Sequence, residues 1–208
     1  MLIDCVSDLH GFQPELAGGD ILIIAGDLTA RDTKEEYDRF IHWLNASPYR
    51  YKVVIAGNHD GLIEKGKVTI GTDPLVKNIH YLCDSGTEIE GLKIWGSPYT
   101  PTFLSWYFMQ DRGQDIKKHW DLIPSGIDIL VTHGPPYGIF DETIEEIRVG
   151  CEDLRLAVQE RIKPRIHCFG HIHECGNSIT KIDGITYVNC SFVDEKYRPV
   201  NSSIRLVL

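Results

Sequence analysis

The chain has no apolar run long enough to cross a bilayer, which argues against a transmembrane helix. It also lacks the basic and apolar regions of a secretory leader. The opening MLIDCVSDLH is acidic and reads as a strand, so a cytoplasmic location is expected. Positive charge is scarce: 21 Lys and Arg stand against 30 Asp and Glu, a net charge of −9. That balance excludes a general nucleic-acid-binding surface. It leaves room for a phosphate-bearing substrate, because bound divalent cations would reverse the local field. No C-x-x-C pair occurs among the six cysteines (5, 83, 151, 168, 175 and 190), which read as free thiols of a reducing compartment. Cys175 lies two residues past His173, but the neighbouring oxygen donors speak against zinc ligation there. Repeats, low-complexity tracts and linkers are missing too. With 42% apolar residues, a single domain over residues 1–208 is expected.

What the chain does have is a series of short, β-branched runs, each stopping at a metal-binding side chain. LIDCVS leads into Asp8 and His10, and ILIIAG into Asp27. VVIAG leads into Asn58 and His59, ILVT into His133, and IHCFG into His171 and His173. Such runs read as buried strands, and ligands of open α/β sheets sit beyond strand carboxyl ends. The convergence points to a two-metal site.

Strands are predicted over residues 1–7, 21–25, 52–56, 79–82, 128–132 and 165–169, with β structure at 178–181, 185–190 and 203–208. Residues 29–32 are expected to begin a helix that Thr33 caps, with Glu36 completing a capping box and Pro48 ending it. Residues 61–78 suggest a helix fragment and a loop broken by Gly66, Gly71 and Pro74. Alternation around Gly91 over 87–95 predicts a hairpin. Helices are expected at 111–122 and at 152–162, the second stopped by Pro164. The fold class is α/β bordering on α+β, a mixed sandwich with helices outside it.

Taken together, Asp8-x-His10, Gly26-Asp27, Gly57-Asn58-His59-Asp60, His133-Gly134 and Gly170-His171-x-His173 resemble the calcineurin-like metallophosphoesterase superfamily. IIAGDLT, VVIAGNHD, LIPSGIDILVTHGPPYG and RVGCEDL look closest to its small metallophosphoesterase-domain group. The resemblance implies two stacked mixed β-sheets flanked by helices. It also implies a dinuclear site filled by Mn, Fe, Zn or related ions, with Mn²⁺ favoured. By motif, Asp8, His10 and His173 would bind one metal, Asp27 would bridge, and Asn58, His133 and His171 would bind the other. His59 would face the substrate as the proton donor. The residue types support this independently: a carboxylate can bridge two cations, and mixed imidazole and carboxylate donors suit Mn²⁺, Fe or Zn²⁺. Two such cations clamp a phosphoryl group and lower the pKa of a bound water, which attacks in line. The expected activity is a phosphodiesterase acting on cyclic nucleotides or similar small diesters. The alternatives are a phosphomonoesterase, or a metal- and nucleotide-binding module with little turnover.

The chain departs from the protein serine/threonine phosphatases at Ala30, where that branch carries an acid that orients the catalytic His. The next residue, Arg31, matches that branch as a phosphate clamp, or is a solvated Arg near a helix start. Asp4 is a candidate acceptor for a ligand His, or an edge-facing acid. Asp60 could orient a ligand, and Asn189 could reach the site. Phe12 and Tyr137 are placed by the motifs to touch substrate. The aromatic stretch 97–111 would either stack a substrate ring or, as the favoured reading, pack on the sheet. His42, His80, His119 and His167 read as structural or surface residues.

Overall fold

The computed structural model describes residues 1–71 and 78–208. Its strands are β1 (Leu2–Val6), β2 (Gly19–Ala25), β3 (Tyr49–Ile55), β4 (Ile79–Tyr81), β5 (Ser85–Ile89), β6 (Leu92–Ser97), β7 (Thr100–Pro101), β8 (Met109–Gln110), β9 (Ile129–Thr132), β10 (Ile166–Phe169), β11 (Ser178–Ile182), β12 (Ile185–Asn189) and β13 (Ile204–Val207). Helices α1 (Lys34–Ala46), α2 (Gly61–Glu64), α3 (Gln114–Asp121) and α4 (Glu152–Ala157) connect them. The last runs on into a π turn, Val158–Ile162.

Two mixed sheets form, as the residue pattern predicts. One has the order β13-β1-β2-β3-β4, with only the β13 pairing antiparallel. The other has the order β11-β12-β10-β9-β6-β5, with antiparallel pairs at both edges. Alternation explains the stacking. In β2, Ile21 and Ile23 face a core shared between the sheets, with Ile55, Ile94, Ile129 and Ile166. Leu22 and Ile24 face outward, onto Tyr37, Phe40 and Leu44 of α1. On the far side, Leu130, Phe169 and Tyr187 meet Ile116, Trp120 and Leu154 of α3 and α4. Strands buried on both faces need continuous apolar runs, which is why the runs were legible. Cys5 and Cys168 bring their sulfurs within 3.2 Å of each other across the shared core. All six cysteines are free.

Local chemistry sets the connections. Glu90 and Gly91 (φ 50° and 83°) form the two-residue turn between β5 and β6, the geometry that matches strand twist. The Thr33–Glu36 capping box starts α1, a contribution of about 1 kcal/mol. Residues 29–32 do not begin that helix: Thr29 is drawn to Asp60 and Asp32 adopts φ 54°, off the helical path. The helix expected at 111–122 is shorter, because Gly113 at φ 80° turns the chain just before Gln114. The predicted helix fragment is α2; Pro74, expected to break the following loop, lies outside the described residues.

Asp4 does not orient a ligand His. It accepts from Tyr49 and, at 2.8 Å, from Arg205, so it clamps β13 to β1. At the carboxyl ends of the central strands the two sheets are joined by a bridge between Ser7 and Ser191. No described helix is long and apolar enough to cross a membrane.

Candidate metal centre

The chain bends sharply where the strands end. Asp8, His10, Asp27 and His171 all adopt positive φ (53°, 41°, 53° and 69°). An L-residue there costs of order 1 kcal/mol or more and persists only where its surroundings enforce it. The enforcement is visible. Asp60 is fully buried and takes N–H groups from Gly57 (2.8 Å), Leu28 (3.1 Å) and Thr29 (3.2 Å). It therefore fixes the turns that carry Asp27 and Asn58 through their backbones. Burial and the charge of Asp27 push its pKa up to about 7. Asp27 Oδ1 in turn accepts the His59 N–H at 2.8 Å. Asp8 accepts the His171 N–H at 2.9 Å and the Ser191 hydroxyl at 2.7 Å. Gly57 and Gly170 lie so close to these two carboxylates that a Cβ on either would overlap them.

Eight predicted site residues come together here, from both sheets. The donor atoms of seven fall into three overlapping groups: Asp8, His10 and His173; His10, Asp27 and His59; and Asp27, His133 and His171. Asn58 joins them through His133. His133 Nδ1–H donates to the Ala25 carbonyl at 2.9 Å, which leaves Nε2 as a lone pair. That lone pair faces Asn58 Oδ1 at 2.9 Å and Asp27 Oδ2 at 3.3 Å, both acceptors. His173 Nδ1–H similarly donates to the Asp194 carbonyl at 3.2 Å. Its Nε2 then faces Asp8 Oδ1 and His10 Nε2, each at 3.3 Å. Lone pairs pointed at lone pairs in a buried pocket require a positive charge between them, a proton or a cation. The donor set therefore fits divalent cations.

Electrostatics carry the same signature. Burial alone would raise Asp27 and Asp8, but His133 and His173 hold both well below the usual carboxylate range. Burial pulls His133 down, yet Asp27, Asp8 and the Ala25 carbonyl outweigh it and raise it to about 9. Burial lowers His10 to about 4, and burial with His133 lowers His171 to about 3.

The centre opens into a cavity of about 470 Å³. Asp27, Asn58, His59, His171 and His173 form its polar end. Phe103, Leu104, Trp106, Val149 and Tyr197 line the rest. Trp106 stacks on His59 with ring centroids 4.3 Å apart. Tyr197 stands edge-on to His10 and His173 at 4.8 and 5.3 Å. The stretch 97–111 divides: Tyr99 packs on Phe108 inside, while Phe103, Leu104 and Trp106 face the cavity.

Three residues expected near the site stand outside the cavity, and Arg31 takes the solvated position that its second reading allows. Phe12 turns to Phe192 and lies outside the cavity lining. Arg31 is exposed and also outside it, its N–H being held by Glu36. Tyr137 is 41% exposed on the Pro-Pro loop and does not line the cavity. Asn189 acts at one remove: its Oδ1 accepts the Ser191 N–H and its amide donates to the Ile172 carbonyl, so it braces the Ser191 turn beside Asp8 and the His171–His173 turn. Ser191, Tyr197 and Asp194 were missed. Only Ser191 had a signal, its place at the end of a strand.

A sandwich of two mixed sheets with carboxylate, amide and imidazole donors gathered at its strand ends defines a metal-dependent hydrolase. The chain belongs to the calcineurin-like phosphoesterase family, whose model matches residues 1–175. It is 41% identical to human metallophosphoesterase domain-containing protein 1, over 96% of this chain and 68% of that protein. A UPF0046 protein of Caenorhabditis elegans is 35% identical, over 93% of this chain and 76% of its own length. A crystal structure from Thermus thermophilus superposes with a TM-score of 0.61 at 14% identity, covering 90% of this chain and 88% of that one. The family is one of phosphoester hydrolases that bind divalent metals, and the ligand clusters of this chain accord with it.

Proposed function

We propose that the chain hydrolyses small phosphodiesters, with cyclic nucleotides and aryl diesters as the substrates to test. The observation that carries the reading is the set of acceptor oxygens of Asn58, Asp27 and Asp8 that face the Nε2 lone pairs of His133 and His173. Asp8, His10 and His173 would hold one divalent cation, Asn58, His133 and His171 a second, and Asp27 would be shared. Manganese suits this donor set, with iron or zinc as alternatives. Two such cations, when bound, neutralise phosphoester charge and supply a nucleophilic water at neutral pH.

The chain's own residues do the rest. The backbone N–H of His59 locks Asp27, and its ring, at the cavity's polar end, donates a proton to the departing alkoxide. The apolar wall excludes water and offers flat faces to an aromatic substituent. The charge balance of the lining favours a diester. Among the described residues, the one Arg or Lys of the lining, Arg112, is engaged with the Val149 and Gly150 carbonyls and with Glu152. Glu174 and Glu195 add negative charge. A monoester dianion would bring a second charge with no side-chain cation free to meet it.

A panel of cyclic nucleotides, aryl diesters and matching monoesters, run with Mn²⁺, tests this. Diesters are expected to exceed monoesters in kcat/KM by at least about tenfold, a difference of one charge contact. Preferential monoester hydrolysis, or tight nucleotide binding without turnover of any substrate, would overturn the proposal.

A further inference from the structure

We propose that Trp106 positions His59, taking the place of the acid that is absent at Ala30. The inference rests on the reading of His59 as proton donor and adds what holds that donor in place. Among the described residues, no hydrogen bond reaches either ring nitrogen of His59, although its backbone N–H and carbonyl are both engaged. Its ring is instead held between two others. Trp106 covers one face at 4.3 Å with planes 28° apart, and His10 meets it edge-on at 4.6 Å with planes 88° apart.

Trp106 does not merely drift against His59. The segment carrying it is fastened to the loop carrying His59. The Tyr107 N–H donates to the Asn58 carbonyl at 3.2 Å. The Tyr107 ring lies on Gly61, where no Cβ could fit. Its hydroxyl accepts from Lys65 at 2.8 Å, with the ammonium 4.3 Å from the ring. The Phe108 N–H donates to Glu64 at 2.7 Å. Residues 106–108 and 58–65 thus move as one unit, and the indole plane sets the imidazole plane. Stacking leaves both imidazole nitrogens free for the reacting atoms. A hydrogen-bonded carboxylate would occupy one of them. Trp106 is still 42% exposed, an unusual outlay for an aromatic that contributed only packing.

The test separates a positioning residue from a plain cavity wall. Two diesters are compared in the metal-loaded chain, one losing nitrophenolate and one losing an unactivated alkoxide. Proton donation matters for the alkoxide and little for nitrophenolate. Trp106→Ala and Trp106→Leu are expected to lower kcat on the alkoxide substrate by about tenfold to a hundredfold, with a small effect on nitrophenolate release. Trp106→Phe and Trp106→Tyr are expected to restore most of the rate. In a His59→Ala background the Trp106→Ala loss should vanish, because both changes remove one function. In the zinc-loaded protein, the Hε1 proton of His59 should carry an upfield ring-current shift that Trp106→Ala abolishes.

A rise in KM at unchanged kcat, equal for both leaving groups, would reduce Trp106 to a substrate wall and sink the proposal. An undiminished Trp106→Ala loss in the His59→Ala background would do the same. If His59→Ala alone leaves the alkoxide rate intact, the proton-donor reading fails. The ring-current shift then decides the placement by itself: its presence supports the stack and its absence refutes it.

Discussion

Ser191 lies outside every motif, yet its hydroxyl donates to Asp8 at 2.7 Å and is completely buried. Its backbone N–H donates to Asn189 Oδ1 at 3.1 Å, which fixes where the residue sits. Groups that orient a metal ligand typically change affinity 10- to 100-fold when removed. Ser191→Ala should therefore weaken metal binding by roughly that factor, measured by titration of the metal-free protein. Unchanged affinity would mean that Asp8 is held by the His171 N–H alone. Asp27→Asn should cost more, because Asp27 is common to two of the three donor groups. The expected result is a purified protein with less than its full metal content, and full retention would refute the shared role. At this scale the sequence discloses side chains whose chemistry is rare and misses those whose chemistry is common. Asp-x-His and Gly-His-x-His stand out against any background. A serine in YVNCS or a tyrosine in a β-rich tail does not, because its role depends on contacts from residues nearly two hundred positions away.

At the scale of elements, legibility follows locality. The capping box of α1 is spelled out within four residues and forms as expected. The start of the same helix was misplaced, because Thr29 answers to Asp60, thirty-one residues away. The ends of the strands matter more than the strands. Three of these turns present a ligand from the left-handed region, at Asp8 and His10, at Asp27 and at His171, and glycines leave space where carboxylates pass. Gly170 lies outside the cavity lining and has no side chain to offer a metal. A Cβ there would still collide with the Asp8 carboxylate and the Ser7 side chain. Gly170→Ala is accordingly expected to reduce metal content with every candidate ligand intact. Elemental analysis of the purified variant checks this, and a fully loaded Gly170→Ala protein would show that the turn can relax.

For the whole molecule, the buried imidazoles set a pH profile. His10 is lowered to about 4, and His171 and His167 to about 3, all chiefly by burial. Below the ordinary 6.5 the unfolded chain takes up protons that the folded chain refuses, so stability falls as pH falls. Asp60, raised to about 7, opposes this between 3.8 and 7, but as one group against three. His133, raised to about 9, contributes stability that is full below 6.5 and lost as pH rises through 9. The Tm of the metal-free protein should therefore peak near neutral pH and fall on both sides. A bound cation takes the place of the His133 proton, so loading with Mn²⁺ should raise Tm, flatten the alkaline limb and steepen the acid one. Thermal scans from pH 4 to 9, with manganese and with chelator, test the sign. An alkaline limb indifferent to metal would contradict the placement of His133.

The Ser7–Ser191 bridge, with candidate ligands on either side of it, has one more consequence. Asp8, Asp27 and Asn58 follow strands of one sheet, and His133 and His171 follow strands of the other. The ion would thus work as a caliper whose jaws are the two layers. A change of one methylene at Ile55 or Ile129, buried in the shared core, would widen or close that gap by a fraction of an ångström. Metal affinity would register the change along with the melting temperature.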